Sequence, residues 1–174
     1  MQMLVAGGMK ALTDGARQAD PDNPRGYFEL EAVKRLPAET AWLNDAPGRV
    51  VKIIHALVSH LPDDRDYRVL FMRRDILEVV RSQATMLARW GHAGSSLSPE
   101  RLAAVYAAQL AGLDQWLAAR PCFRVLQVDY SSLVSSPLAE AAAINRFLGG
   151  ALAEAAMAAA VDPSLYRNRL KPVN

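Results

Sequence analysis

The sequence predicts an α/β fold of three layers, with a mostly parallel central sheet flanked by helices. Two observations carry that expectation. Short apolar runs, "RVVKII", "YRVLFM" and "FRVLQV", alternate with longer segments of helical period. The run "YRVLFM" is apolar on both faces, as strands are when helices cover both sides of a parallel sheet. With 174 residues the chain has the length for one core, so residues 1–174 are expected to form a single domain.

Taken in order, "MQMLVAGG" reads as the last turns of a helix closed by Gly7 and Gly8, because paired glycines supply the left-handed geometry of a helix end. Residues 13–25 are polar and punctuated by Asp-Gly, Asp-Pro and Asn-Pro, so they read as a loop. "NPRGYFELEAVKRL" then leads into a helix. After the Pro47-Gly48 turn, "RVVKII" is the first strand, and "HALVSHLP" continues as a short helix ending near Pro62.

"YRVLFM" is the second strand, and Asp75 with Glu78 forms a capping pair that starts a helix running to about Trp90. Residues 91–98 are a loop. Ser98 with Pro99 opens a long helix on which Leu102, Val105, Leu110, Leu113 and Leu117 keep a helical period up to Pro121. "FRVLQV" is the third strand. Ser136 with Pro137 opens another helix, with Ile144, Phe147 and Leu148 turned inward before Gly149-Gly150. An alanine-rich helix and a polar tail follow.

Composition narrows the function. Hydrophobic residues make up 51% and charged residues 22%, the balance of a globular chain rather than a disordered or membrane one. No apolar run approaches the roughly 18 residues of a membrane span, and no leader pattern opens the chain, so the expectation is a cytoplasmic protein without a membrane partner. A net charge of +2 lacks the broad basic surface of a duplex nucleic-acid binder, so any anion site must be local. A single cysteine, Cys122, excludes an internal disulfide and a cysteine-based metal cluster. It reads as a packed thiol, and no metal is expected.

The local anion site is sought in "FMRRDILEVVRSQ". Arg73 and Arg74 lie at the carboxyl end of the second strand, where α/β folds bind ligands. Ser82 follows Arg74 by slightly more than two helical turns, so its hydroxyl falls near the side of the helix from which the arginine approaches. The two can converge on one phosphate. Taken alone, the pattern is weak and fits surface charges and a solvent-facing serine better than an anion site.

The same stretch resembles the arginine-and-serine segment of the sulfotransferases that use 3'-phosphoadenosine 5'-phosphosulfate (PAPS), whose arginine and serine bind the 3'-phosphate of that co-substrate. Arg74 and Ser82 fall on those places. Three further stretches are similar in the same order: "RVVKIIHALVSHLP" to the lysine-bearing strand, "VLQVDYSSLVSSPLAEAAAINRFLG" to the tyrosine-containing strand, turn and helix, and "DNPRGYFELEAVKRL" to a segment of bacterial members. The resemblance implies the P-loop NTPase-like sulfotransferase fold.

It also implies roles. Lys52 takes the place of the lysine that contacts the sulfuryl group, where a cation stabilises charge on the bridging oxygen. The place of a histidine base is Ile54, and His55 is offset by one residue, which in a strand turns the side chain to the opposite face. Bacterial members offer a glutamate, so Glu29 of "GYFE" is the first choice of base, with Glu31 behind it. Tyr130 matches the tyrosine near the adenine, although "DYSSL" replaces the usual acidic pair after it. Arg167 and Arg169 of "LYRNRL" match a basic loop that closes over the 3'-phosphate. Each residue also has an ordinary structural reading: a strand-end lysine, a carboxylate in a first helical turn, a basic tail. His60 and His92 are expected to be surface or structural residues.

The resemblance also implies a first strand ending in a glycine-rich phosphosulfate-binding loop. No such loop stands in this sequence, and "MQMLVAGGM" resembles the helix that follows it. The expectation is an N-terminally truncated chain whose exposed sheet edge promotes self-association. The implied ligands are PAPS or adenosine 3',5'-bisphosphate, with an unidentified small-molecule or glycan acceptor bearing a hydroxyl or amine. Two other readings stay open: a non-catalytic binding module using the arginine-lined cleft, and a nucleotide kinase of related architecture.

Overall fold

A computed structural model describes residues 1–20, 23–91 and 94–167. Among them the chain forms seven α-helices, three 3₁₀ turns and four short strands. In place of one central sheet, the described strands form two separate parallel pairs: β1 (Lys10–Ala11) with β2 (Arg49–Val50), and β3 (Tyr67–Arg73) with β4 (Phe123–Asp129).

The β3–β4 pair is the larger. Its side chains alternate between two cores, as the pleat of a strand dictates. Tyr67, Val69 and Phe71 of β3, with Phe123 and Val125 of β4, join Leu113 and Leu117 of α4 (Pro99–Ala118), Val58 of α2 (His55–Val58) and Trp42 and Leu43. On the other face, Leu70, Leu126 and Val128 join Met3 and Leu4 of α1 (Gln2–Ala6), Ile144 of α6 (Pro137–Leu148) and Met157 of α7 (Glu154–Ala159). Helices therefore cover both faces, which accounts for strands without a polar side.

The short β2 departs from the expected "RVVKII" strand. Its neighbour β1 has two residues, and the hydrogen bond from Leu12 N–H to the Val50 carbonyl is the last beyond that pairing. Past Val50 the chain stays extended, with Ile54 at φ −75° and ψ 148°, but has no ladder to join. The helix expected after "NPRGYFE" is a single 3₁₀ stretch, Glu31–Arg35. Pro37 limits it, because a residue before proline is driven out of helical backbone, and Leu36 has ψ 142°.

Other boundaries follow the expected chemistry. The Asp75 carboxylate accepts hydrogen bonds from the N–H groups of Leu77 and Glu78 and starts α3 (Ile76–Arg89). Ser98 accepts from Arg101 N–H at the start of α4, and Gly149 takes the left-handed conformation that ends α6. A helix not foreseen, α5 (Tyr130–Ser135), follows β4 and is capped by Asp129, which accepts from Ser132 N–H. On α4 only Leu113 and Leu117 of the expected apolar row are buried, and Val105 is exposed. Cys122 packs, half-buried, against the first core.

Candidate functional site

Two clusters of charged and aromatic groups stand out, one at each end of α3. At the first, β3 and β4 end together, with Arg73 opposite Asp129 in the parallel register. The residues that follow, Arg74 and Tyr130, are thereby brought side by side. The Arg74 guanidinium lies 5.2 Å from the Tyr130 ring centroid and 4.9 Å from that of Tyr166, and those two rings meet edge to face at 5.0 Å. Arg74 Nε also donates to Glu78 Oε2 at 3.0 Å, and Glu78 is 4% exposed. Ser82, half-buried, continues the same helical stripe one turn beyond Glu78.

Arg73 goes elsewhere. Its side chain crosses the Phe71 ring, pairs with Asp114 of α4, and donates from Nε to Gln127 Oε1 at 3.0 Å. The adjacent arginines are thus divided by the pleat of the strand: Arg73 braces the sheet against α4, and Arg74 faces the aromatic pair.

The second cluster centres on Glu29. Lys52 Nζ donates to Glu29 Oε1 at 3.3 Å and to the Tyr27 carbonyl at 3.2 Å. Arg17 Nη1 reaches the same Oε1 at 3.2 Å, and Lys34 Nζ approaches Oε2 at 3.6 Å. Burial raises the carboxyl pKa, but Lys52, Arg17 and Lys34 together outweigh it and hold Glu29 below its usual value. Residue 28 helps to aim it: Phe28 has φ 53°, a left-handed backbone uncommon for a bulky residue.

Hydrogen bonds fasten the 13–17 segment to this cluster. Thr13 Oγ1 donates to the Glu29 carbonyl at 2.7 Å, and Asp14 Oδ2 accepts from Glu31 N–H at 2.6 Å. The Arg17 guanidinium then lies between the Tyr27 ring at 3.3 Å and the Trp90 ring at 4.8 Å. Trp90 closes the C-terminal end of α3, whose 14 residues run about 21 Å. One helix therefore carries Glu78 near its start, Ser82 midway and Trp90 at its end.

The remaining expected residues are placed as follows. His55 begins α2 and meets Gln109 Oε1 of α4 at 3.1 Å. Glu31 pairs with Lys34. His60 is exposed. Arg167 is exposed and acts on Asp162, whose carboxyl is held low first by Ser164 and then by Arg25 and Arg167. His92 and Arg169 lie outside the described residues. Among the described residues no group of three or more His, Cys, Asp or Glu could hold a metal ion, and no helix is long and apolar enough to cross a membrane.

Residues 12–154 match the family model of the sulfotransferase family. The chain belongs to the sulfotransferase family. The matched span covers Glu29, Lys52, Arg74, Ser82 and Tyr130 and ends before Arg167. Sulfotransferase membership supports a sulfotransfer activity, with a sulfonate donor and an acceptor as ligands. No curated protein and no solved structure matches the chain.

The motifs did not point to Arg17, Tyr27, Trp90, Tyr166 or Glu78. Glu78 carried a signal, because it stands four residues after Arg74, the spacing of a helical ion pair. Arg17 and Trp90 carried none, since their meeting depends on how the 13–25 loop crosses the end of α3.

Proposed function

We propose that this sulfotransferase-family chain binds PAPS and directs its sulfuryl group to a hydroxyl or amine acceptor. The observation that carries the reading is the Arg74 cluster: a guanidinium at the carboxyl ends of two parallel strands, flanked by the Tyr130 and Tyr166 rings. Arg74 and Ser82 would hold the 3'-phosphate, Arg by charge-assisted hydrogen bonds and Ser by its hydroxyl. Tyr130 would present an aromatic face to the adenine. Arg167 and Arg169 would add charge near the same phosphate.

In this reading Lys52 stabilises charge on the oxygen that bridges sulfur and the 5'-phosphate. The acceptor oxygen or nitrogen forms a bond to sulfur as the bridging S–O bond breaks, and the electron pair leaves with adenosine 3',5'-bisphosphate. Glu29 takes the acceptor proton. Its lowered pKa keeps it ionised at neutral pH and makes it a weak base, so its contribution depends on placement more than on basicity.

Calorimetric titration with adenosine 3',5'-bisphosphate tests the first half of the reading. The chain should bind saturably, and Arg74→Ala/Glu78→Gln should not, the second substitution preventing a buried carboxylate that has lost its Arg74 contact from confusing the result. Binding that survives in a folded double variant would remove Arg74 from the site. Absence of binding by the parent chain would favour a non-catalytic module, a reading supported by the closed Lys52–Glu29 contact.

A further inference from the structure

Arg17 sits in the polar loop, and two unfavourable features meet at it. Among the described residues, its Nη2 is buried without a hydrogen-bond partner. Arg17 gains an ion pair with Glu29 and contacts with the Tyr27 and Trp90 rings, but leaves one donor unmade, a cost that an aliphatic side chain in the same space would avoid. Nearby, Phe28 holds a left-handed backbone that lets the Tyr27 carbonyl and the Glu29 carboxylate face one ammonium, that of Lys52. Strain of this kind collects where function requires a geometry. Both features converge on Glu29.

The contacts on that carboxylate are unequal. Arg17 Nη1 and Lys52 Nζ share Oε1 at 3.2 and 3.3 Å, whereas Lys34, with 56% of its side chain exposed, stands 3.6 Å from Oε2. We propose that Arg17 is the positioning residue of this site, holding the Glu29 carboxylate so that Lys52 can leave it for the sulfuryl group. The inference rests on the roles of Lys52 and Glu29 proposed above. With Arg17 on the same oxygen, departure of the ammonium leaves the carboxylate paired and in place. Without Arg17, Lys52 is the remaining cation on Oε1 and the carboxylate holds it more tightly, so an incoming sulfuryl group must compete for that cation.

The test uses the full chain and four forms: parent, Arg17→Met, Arg17→Lys and Arg17→Met/Glu29→Gln. Calorimetry compares PAPS with adenosine 3',5'-bisphosphate, which lacks the sulfuryl group, and carbon NMR follows the Glu29 carboxyl through an acid titration. Arg17→Met should weaken PAPS roughly tenfold, the effect of losing one charge-assisted contact, and leave the bisphosphate within about twofold. Arg17→Lys should recover part of the loss. Adding Glu29→Gln should restore PAPS binding, because no carboxylate then competes for Lys52, and a loop that had merely lost its docking would not respond. In Arg17→Met the Glu29 carboxyl should titrate at higher pH than in the parent. A loss that Glu29→Gln does not restore, or a Glu29 titration unmoved by Arg17→Met, overturns the proposal. If the parent binds neither nucleotide, the sulfotransfer reading fails by itself, and the Glu29 titration still decides whether Arg17 holds the carboxylate.

Discussion

Replacing Arg74 by alanine should cost stability as well as any ligand contact. The Arg74 side chain is 22% exposed and that of Glu78 5%, with Nε to Oε2 at 3.0 Å. Removing one partner of a fully buried ion pair costs about 3–5 kcal/mol, and the same change at an exposed pair costs about 0–1 kcal/mol. Arg74 keeps about a fifth of its surface in water while Glu78 keeps almost none, which puts the loss near 2–3 kcal/mol. Contacts with the Tyr130 and Tyr166 rings add about 0.5–1 kcal/mol. The total, about 3 kcal/mol, is a large share of the 5–15 kcal/mol typical of a domain. Urea denaturation followed by far-ultraviolet circular dichroism should show the midpoint fall with an unchanged slope. Arg74→Ala/Glu78→Gln should recover about half of the loss, because the buried charge is gone. A shift below about 0.5 kcal/mol for the single variant, or no recovery in the double, would refute the account of a buried carboxylate held by Arg74.

Three further outcomes are expected. Gly7→Ala should destabilise by about 1–2 kcal/mol: φ −74° suits alanine, but the new Cβ would stand 2.6 Å from Cγ of the fully buried Met157, and thermal melts would read the loss. Asp75→Ala, which removes the acceptor for two N–H groups, should cost about 1 kcal/mol in urea denaturation, and Asp75→Asn should retain most of that stability. Glu29 has a folded pKa below its ordinary 4.5, so the stability it supplies is present above that value and lost as pH falls through the lower one. Urea midpoints of the parent and Glu29→Gln should therefore converge as pH falls below the ordinary carboxylate value and through the lowered one, and parallel curves would contradict the three-cation environment.

The elements legible in the sequence were those set by local chemistry. Asp75 two and three residues ahead of the N–H groups that open α3, and glycine at the left-handed end of α6, act on their immediate neighbours, so the pattern alone places them. The two-sided apolar character of "YRVLFM" and "FRVLQV" likewise follows from helices on both faces. Division into two strand pairs was not legible, because a strand exists only where a neighbour supplies hydrogen bonds, and β1 offers β2 only two residues. At the candidate site, Arg74, Ser82 and Tyr130 could be named from motifs, but the register that joins Arg74 to Tyr130 is a tertiary fact. Arg17 was hidden for the same reason: a loop arginine acquires meaning only when Tyr27, Trp90 and Glu29 surround it.

The packing of α1 against α7 bears on how the chain reaches its fold during synthesis. Ala153 N–H bonds the Gly7 carbonyl at 3.0 Å, and Met3 and Leu4 share a core with Met157. These partners are made about 150 residues apart, which at roughly 5–20 residues per second separates them by on the order of 8–30 s. Within that interval Leu70 of β3 waits for its cover, and Leu126 and Val128 of β4 join it only about 30 residues before α7 is made. Nascent chains would thus expose a greasy strand surface until α6 and α7 emerge, making this half of the molecule the natural client of a chaperone and the last to become resistant to proteolysis.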